Sequence, residues 1–218
     1  MKGLFIIALF LFGLTTSGYS QYLNAKDSDP EAVALLTKAG KGFAGTNNVQ
    51  VNFRVRTTIP GQVPVTNEGV LYQGGTSYKV ELKDYNIISD GTTRWVYLKD
   101  PNEVNIYNES NGQDWISPQD FLRLHTSPDL VFTLQSSKNG ISIIEAKPLK
   151  GRFDEYSKFV IGITNDKLSY INALSSDGSR QEMSINSVTT PATWDAAKLF
   201  TFNKDAHPGV YVEDLRLD

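Results

Sequence analysis

The spacing of the hydrophobic positions changes after the first part of the chain. Between residues 32 and 43, apolar side chains recur at helical intervals, and Asp29-Pro30-Glu31 before them is typical of a helix start, with a capping Asp and Pro at the first helical position. From Val49 to Val55, apolar and polar residues alternate, which predicts a strand with one wet face. The pattern therefore predicts an amphipathic helix followed by a sheet.

Further short apolar runs follow, separated by turn dipeptides such as Asp90-Gly91, Asn139-Gly140 and Asp177-Gly178. Such runs are typical of an antiparallel meander. Ser-Pro pairs at Ser117 and Ser127 interrupt the pattern and predict two short helical segments that cross one face of the sheet. The predicted strands lie at 69–73, 77–82, 87–89, 93–98, 104–107, 141–146, 158–164, 168–175, 182–188 and 199–202.

The first twenty residues have the pattern of a secretory signal. Lys2 precedes an apolar run over 4–14, and Gly18-Tyr19-Ser20 is a small-x-small cleavage signature before Gln21. The run is shorter than the roughly 20 residues that a bilayer-spanning helix needs. We therefore predict a signal peptide over 1–20, cleaved near Ser20-Gln21, and a single exported domain over 21–218.

Composition removes several classes of function. The chain has no Cys, which excludes a Cys-linked lipid anchor, disulfides and thiolate metal sites. Its net charge is −3 with scattered basic residues, which does not favour a nucleic-acid partner. The two His residues lack metal-ligand spacing, and no nucleophile elbow, HExxH or P-loop motif occurs. We expect no catalytic residue, no metal and no cofactor, so the sequence does not support an enzyme.

Bulky apolar side chains on alternating strands are the strongest candidates for function. They fit either a packed sandwich core or a long sheet that curls partly closed and holds a ligand beneath a lid. A shift of one residue in strand parity would move any of them to the other face. The candidate ligand-binding residues are Phe53, Val55, Trp95, Tyr97, Phe121, Leu122, Phe132 and Ile161.

Several segments, in chain order, resemble the LolA family of outer-membrane lipoprotein carriers. Residues 87–97 match that family's apolar-Ser-Asp-Gly-x-x-x-Trp-x-Tyr hairpin, which is the most specific of the resemblances. The others are the Asp-Pro-Glu helix start, the segment 68–72, Ser117-Pro118 and the tail over 200–214. The resemblance covers essentially the whole domain.

The resemblance implies a mainly β fold with short α-helices: a single curved antiparallel sheet, an unclosed half-barrel, under an α-helical lid. It implies a monomeric periplasmic carrier, or chaperone, that holds lipoprotein acyl chains in a hydrophobic cavity and moves them from the inner to the outer membrane. The implied partners are an ATP-driven inner-membrane lipoprotein-releasing transporter and an outer-membrane receptor or membrane surface.

One departure from the family concerns the residue that holds the lid closed, which the sequence does not identify. Many members carry an Arg before Pro where this chain has Gly74-Gly75-Thr76, and Arg54, Arg56 or Arg94 are alternatives among which the sequence does not choose.

Two other functions also stay open. One is a carrier of another amphiphile, such as a glycolipid or a lipid-linked precursor, and the other is an exported adaptor with a filled core and no ligand.

Overall fold

The computed structural model describes residues 25–44, 48–109, 124, 127–149, 153–191 and 193–216. Within this part the chain forms twelve strands, two α-helices and two short 3-10 turns, at Ala25–Asp27 and Lys204–Ala206. The helices are α1 (Pro30–Ala44) and α2 (Ala196–Leu199). The strands are β1 (Asn48–Thr58), β2 (Val65–Gly74), β3 (Ser77–Glu81), β4 (Tyr85–Ser89), β5 (Thr93–Leu98), β6 (Glu103–Asn108), β7 (Leu130–Lys138), β8 (Ile141–Pro148), β9 (Tyr156–Thr164), β10 (Lys167–Ser175), β11 (Arg180–Thr189) and β12 (Tyr211–Asp214).

All twelve strands belong to one sheet, in the order β12-β6-β5-β4-β3-β2-β1-β11-β10-β9-β8-β7. Neighbouring strands are antiparallel except β12, which runs parallel to β6. The two end strands, β12 and β7, do not pair with each other, so the sheet is unclosed. The predicted fold class, a mainly β protein with one unclosed curved sheet and few helices, is confirmed. Among the described residues, no helix is both long and apolar enough to cross a membrane.

Helix α1 begins where the sequence predicts, because Asp29 caps it. The Glu31 N–H donates to Asp29 Oδ1 at 2.9 Å. The same segment covers the free edge of β7: the Asp29 N–H donates to the Phe132 carbonyl at 2.8 Å, and the Phe132 N–H donates to Ser28 Oγ at 3.1 Å. This contact occupies backbone groups that an exposed edge strand would offer to another chain.

Helix α1 packs on one face of the sheet, which we call the inner face. Two hydrophobic clusters fill this face, and Leu168 and Met183 contact both of them. The helix-covered cluster consists of Ala32, Leu36, Ala39, Leu124, Leu130, Phe132, Ile144, Ala146, Phe153, Phe159, Ile161, Ile163, Ile171 and Ala173. The second cluster consists of Val49, Val51, Phe53, Leu71, Tyr78, Val80, Leu82 and Ile87.

The opposite, outer face is partly covered by the C-terminal tail. The ring of Tyr97 stacks on His207, with centroids 4.3 Å apart, and also contacts Phe202. Further along, Trp194 packs edge-on against Tyr72, with ring centroids 5.9 Å apart. The tail then ends as β12, which runs beside β6.

Two of the predicted elements are wrong. The segment 127–132, predicted as helical, contains the start of β7, because Leu130, Val131 and Phe132 are all buried and form a short run covered on both faces. The predicted strand at 199–202 is instead the end of α2 and an irregular stretch, since Asp195 caps α2 by accepting from the Lys198 N–H at 3.3 Å. The predicted helix at 117–124 lies outside the described residues apart from buried Leu124.

Candidate ligand-binding cavity on the inner face

A cavity of about 540 Å³ lies on the inner face, between the second half of α1 and strands β10 and β11. Leu168 and Ile185 form its apolar wall, and Ala39 contributes from the helix. Val188, which is 38% exposed, also lines it, so the cavity reaches the protein surface at this end of the sheet. The complete lining is Ala39, Thr164, Lys167, Leu168, Ser169, Ile185, Asn186, Ser187 and Val188.

Two strand irregularities border this cavity. The pairing of β1 with β11 shifts between Asn52 and Phe53, which leaves Asn186 as an extra residue in β11. The pairing of β9 with β10 shifts in the same way at Ser169. Bulges bend a strand and change which side chains face a given side. Here Asn186 and Ser169 are two of the polar groups that line the cavity beside Leu168 and Ile185.

Four of the predicted ligand-binding residues lie on the inner face, but in the clusters beside the cavity. Phe132 and Ile161, at 2% and 1% exposure, pack in the helix-covered cluster. Phe53 and Val55 lie in the second cluster, where the Phe53 ring rests on Gly69: a Cβ at Gly69 would stand 2.6 Å from Phe53 Cζ. These side chains are therefore packed protein interior rather than walls of the described cavity.

The placement of Trp95 and Tyr97 corrects the sequence prediction. They share one face of β5, as predicted, but Trp95 pairs with Ile88 whereas Val96 pairs with inner-face Ile87. Trp95 and Tyr97 consequently lie on the outer face, and the prediction that they line one pocket with Phe53 is wrong. The cause is a one-residue error in parity on a strand that is apolar on both sides. The remaining two predicted residues, Phe121 and Leu122, lie outside the described residues.

Sequence reasoning did not select the residues that do line the cavity. Leu168 and Ile185 lie within predicted strands, but polar neighbours surround them: Ser184 and Asn186 flank Ile185. The bulges at Ser169 and Asn186 break the alternation that would have placed them. A break in alternation is a weak signal by itself, because many strands show one.

The sequence left three arginines as alternatives for the residue that latches the lid, and the structure places them on different faces of the sheet. Arg54 and Arg56 alternate with Phe53 on β1 and lie on the outer face. Arg94 lies on the inner face, is only 8% exposed, and its guanidinium carbon is 5.1 Å from the centre of the Tyr107 ring. Of the three, Arg94 is the one that faces the interior.

The inner face becomes polar toward β4 and β5. The Tyr78 O–H donates to Glu109 Oε1 at 3.1 Å, and the Ser89 O–H donates to Glu109 Oε2 at 2.8 Å. Arg94 is the cross-strand partner of Ser89, so a cation lies in the same row as the carboxylate-bound hydroxyls. These hydroxyls are buried and form hydrogen bonds with Glu109. They therefore do not provide an apolar surface for the hydrocarbon part of a ligand.

A larger groove of about 920 Å³ lies on the outer face, and it is a poor candidate for an apolar ligand. Arg54, Arg56, Glu68 and Glu182 line it, together with Pro64, Thr66, Tyr170, Asn172 and Ser184. Arg54 and Glu68 form an ion pair at 2.6 Å, with both side chains more than half exposed. An acyl chain placed there would remove these charged groups from water without compensation. The smaller inner-face cavity is therefore the candidate site.

One titratable side chain on the inner face has a raised pKa. The Tyr156 ring packs against Phe159 at a tilt of 35°, with centroids 4.9 Å apart, and burial, with a contribution from Glu155, raises the pKa of Tyr156 to about 12. Its hydroxyl is thus neutral at physiological pH. In the part of the chain that the structure describes, no group of three or more His, Cys, Asp or Glu side chains is arranged to hold a metal ion.

No family model matches the chain, and no curated protein matches it significantly. Among solved structures, an uncharacterized conserved protein from Thermus thermophilus aligns with a TM-score of 0.54 and 12% identity, over 84% of this chain and 99% of that chain. This alignment shows a shared fold.

Two further solved structures align less closely. A DUF1329 family protein from Desulfovibrio piger has a TM-score of 0.48 and 14% identity, over 81% of this chain and 98% of that chain. A LolA superfamily protein from Nitrosomonas europaea has a TM-score of 0.44 and 16% identity, over 78% of this chain and 97% of that chain. At these identities none of the alignments assigns a function.

Proposed function

We propose that this chain is an exported carrier that holds the hydrocarbon part of an amphiphile in the inner-face cavity. The observation that supports the proposal is the cavity itself: a space of about 540 Å³ with Leu168 and Ile185 in its wall, bounded by a helix on one side and a sheet on the other. Volumes of about 300–1,000 Å³ are usual for small-molecule sites. The resemblance of residues 87–97 to the LolA hairpin adds independent support from the sequence.

The physical need for such a carrier is large. Burying an acyl chain is worth about 0.8 kcal/mol per methylene, so three chains of sixteen carbons would cost on the order of 40 kcal/mol in water. A sheet supplies a fixed wall for such chains, and a helix packed on it supplies a cover that can move. In its specific form, the proposal is a periplasmic carrier that takes lipoprotein acyl chains from an inner-membrane transporter to the outer membrane.

The size of the cavity favours a second candidate within the same class. A space of about 540 Å³ is in the range of a single drug-sized ligand. Beneath α1 the inner face is already filled by residues such as Phe132, Phe159 and Ile161, so three acyl chains would require α1 to separate from the sheet. A single-chain or compact amphiphile, such as a lipid-linked precursor, fits without that movement. The adaptor hypothesis requires an interior without a cavity, and the space beside the filled clusters argues against it.

The direct test is to identify what the protein binds. The mature protein is purified without detergent, extracted with organic solvent, and the extract is analysed by mass spectrometry. Triacylated peptide would support the lipoprotein carrier, and another lipid would support the second candidate. The delipidated protein is then titrated with a fluorescent fatty-acid reporter.

A pair of variants links binding to the cavity. Ile185→Trp places an indole in the cavity wall and should weaken reporter binding by tenfold or more (~1.4 kcal/mol per tenfold). Tyr211→Trp adds the same side chain at an exposed position on β12 and should leave binding unchanged. Equal affinity for wild type and Ile185→Trp would refute the cavity as the binding site.

A further inference from the structure

Several lysines lie at the end of the sheet where the inner-face cavity opens. Lys167 lines the cavity directly. Lys38 of α1 forms an ion pair with Asp166 at 2.8 Å, which fastens the second half of the helix to the turn between β9 and β10. Lys41 lies three residues further along α1, and residues at this spacing are neighbours on a helix surface.

A fourth lysine is brought to the same end of the sheet by a contact between two turns. The Asn165 N–H donates to the Gly140 carbonyl at 2.8 Å, which joins the β9–β10 turn to the β7–β8 turn. Lys138 is the last residue of β7, immediately before that second turn. Lysines 38, 41, 138 and 167 therefore lie at one end of the sheet, and we call them the lysine rim. Lys138 pairs with outer-face Ile141 on the edge strand β7, so Lys167 and the two lysines of α1 are the members nearer the cavity.

The lysine rim is unbalanced in charge. Asp166 is the acid in these two turns, so four lysines and one aspartate give a local charge of +3, whereas the whole chain has a net charge of −3. The other described acids of β7–β10 are placed differently: Glu145 pairs with Lys158, and Asp154 and Glu155 precede β9 at the opposite end. Within the described residues, no ion pair is formed by Lys41, Lys138 or Lys167.

We propose that the amphiphile held in the inner-face cavity carries a negatively charged headgroup, and that the lysine rim binds this headgroup while the hydrocarbon lies against Leu168 and Ile185. The inference rests on the proposed carrier function and narrows its ligand class to anionic amphiphiles. Ser169 and Asn186, which the bulges place at the same mouth, supply neutral hydrogen-bonding groups beside Lys167. An anion there would also offset the repulsion among the lysines.

The test compares two ligands with the same hydrocarbon chain, one with a charged and one with a neutral headgroup. A fluorescent fatty acid and its methyl ester are titrated into the mature, delipidated protein. Lys41→Gln and Lys167→Gln should each weaken binding of the acid by about 1.4-fold to 5-fold, the range for a solvent-exposed ion pair, and leave the ester unchanged. High salt should weaken the acid and not the ester. Lys167→Arg keeps the charge and should restore binding of the acid.

A control variant shows whether the effect belongs to the lysine rim or to lysines in general. Lys204→Gln removes an exposed lysine of the C-terminal tail and should change neither ligand. If acid and ester respond equally to the lysine variants, or neither responds, the headgroup inference is wrong while the carrier function stands. If neither ligand binds the wild type, the carrier function itself fails.

The source of the negative charge is tested in a separate arm. Inorganic phosphate at low millimolar concentration should not displace the acid probe, because it lacks the hydrocarbon; full displacement would mean a free-anion site and would overturn the inference. The protein is also mixed with anionic phospholipid vesicles. Vesicle binding that the lysine variants abolish, with acid-probe affinity unaltered, would assign the lysine rim to a membrane surface and would equally overturn it.

Discussion

The affinity of the inner-face cavity should rise with the length of the ligand's hydrocarbon chain and then level off. Burial of one methylene is worth up to about 0.8 kcal/mol, which corresponds to about a fourfold gain in affinity. Four of the nine lining residues, namely Ala39, Leu168, Ile185 and Val188, are apolar and the other five are polar. Because only part of each methylene meets apolar surface, we expect roughly a twofold to fourfold gain per methylene until the cavity is full.

Enlarging the cavity should move the point at which affinity levels off. Ile185→Ala removes part of the apolar wall, so affinity should continue to rise to longer chains in this variant than in the wild type. The measurement is displacement of a fluorescent reporter by saturated fatty acids of increasing length, checked by calorimetry. Surface adsorption would also give a gain with chain length, but the levelling-off point would then be the same in both proteins. An identical point in wild type and Ile185→Ala, or affinity independent of chain length, would refute the cavity assignment.

Two further predictions concern the two sides of the sheet. Trp95→Ala should lower the free energy of unfolding by about 0.5–3 kcal/mol in a urea titration and leave the reporter Kd unchanged, because Trp95 lies on the outer face; a large loss of reporter affinity in a folded variant would contradict this placement. Tyr156 should titrate at about pH 12 in a tyrosinate absorbance titration. Since the folded state keeps this proton to higher pH than the unfolded chain does, stability should fall as pH rises from about 10 to about 12, and Tyr156→Phe should remove that part of the fall.

The local elements of the fold were predictable because their signals are local. Asp29-Pro30 marks a helix start through hydrogen bonding within a few residues, and the structure has that cap. The alternation from Val49 to Val55 matches β1, whose buried residues Val49, Val51 and Phe53 share one face. The predicted turns are also present in the structure. Positive φ angles, which tight turns between strands require, occur at Gly91, Asn139, Gly140 and Gly178.

The face on which each aromatic residue lies was not predictable from the same pattern. Alternation indicates the inner face only when the other face is wet. On β5 both faces are covered, since Val96 packs in the second cluster and Tyr97 is stacked by His207 from a segment more than a hundred residues away in sequence. Nothing near Trp95 in the sequence indicates that the tail returns to cover it, so the parity of this strand is set by tertiary structure.

The cavity was unpredictable for a different reason. Its position depends on two register shifts, and a shift of one residue leaves the composition of a strand unchanged. In the sequence, Ile185 looks like any other inner-face residue of β11. The extra residue Asn186 next to it is visible only in the pairing of β11 with β1. The same is true of Leu168, which precedes the bulge at Ser169.

The two halves of α1 are held in different ways, and this bears on how a ligand would enter. The N-terminal end is fixed to β7 by hydrogen bonds from the segment around Asp29, and its buried residues Ala32 and Leu36 pack in a filled cluster. In the second half, buried Ala39 packs in the same cluster, and Lys38 forms an exposed ion pair with Asp166; exposed pairs of this kind contribute at most about 1 kcal/mol. The cavity lies beneath this half of the helix. A ligand too large for the cavity would have to displace Ala39 from its cluster, and the capped end of α1 would stay joined to β7 by its hydrogen bonds.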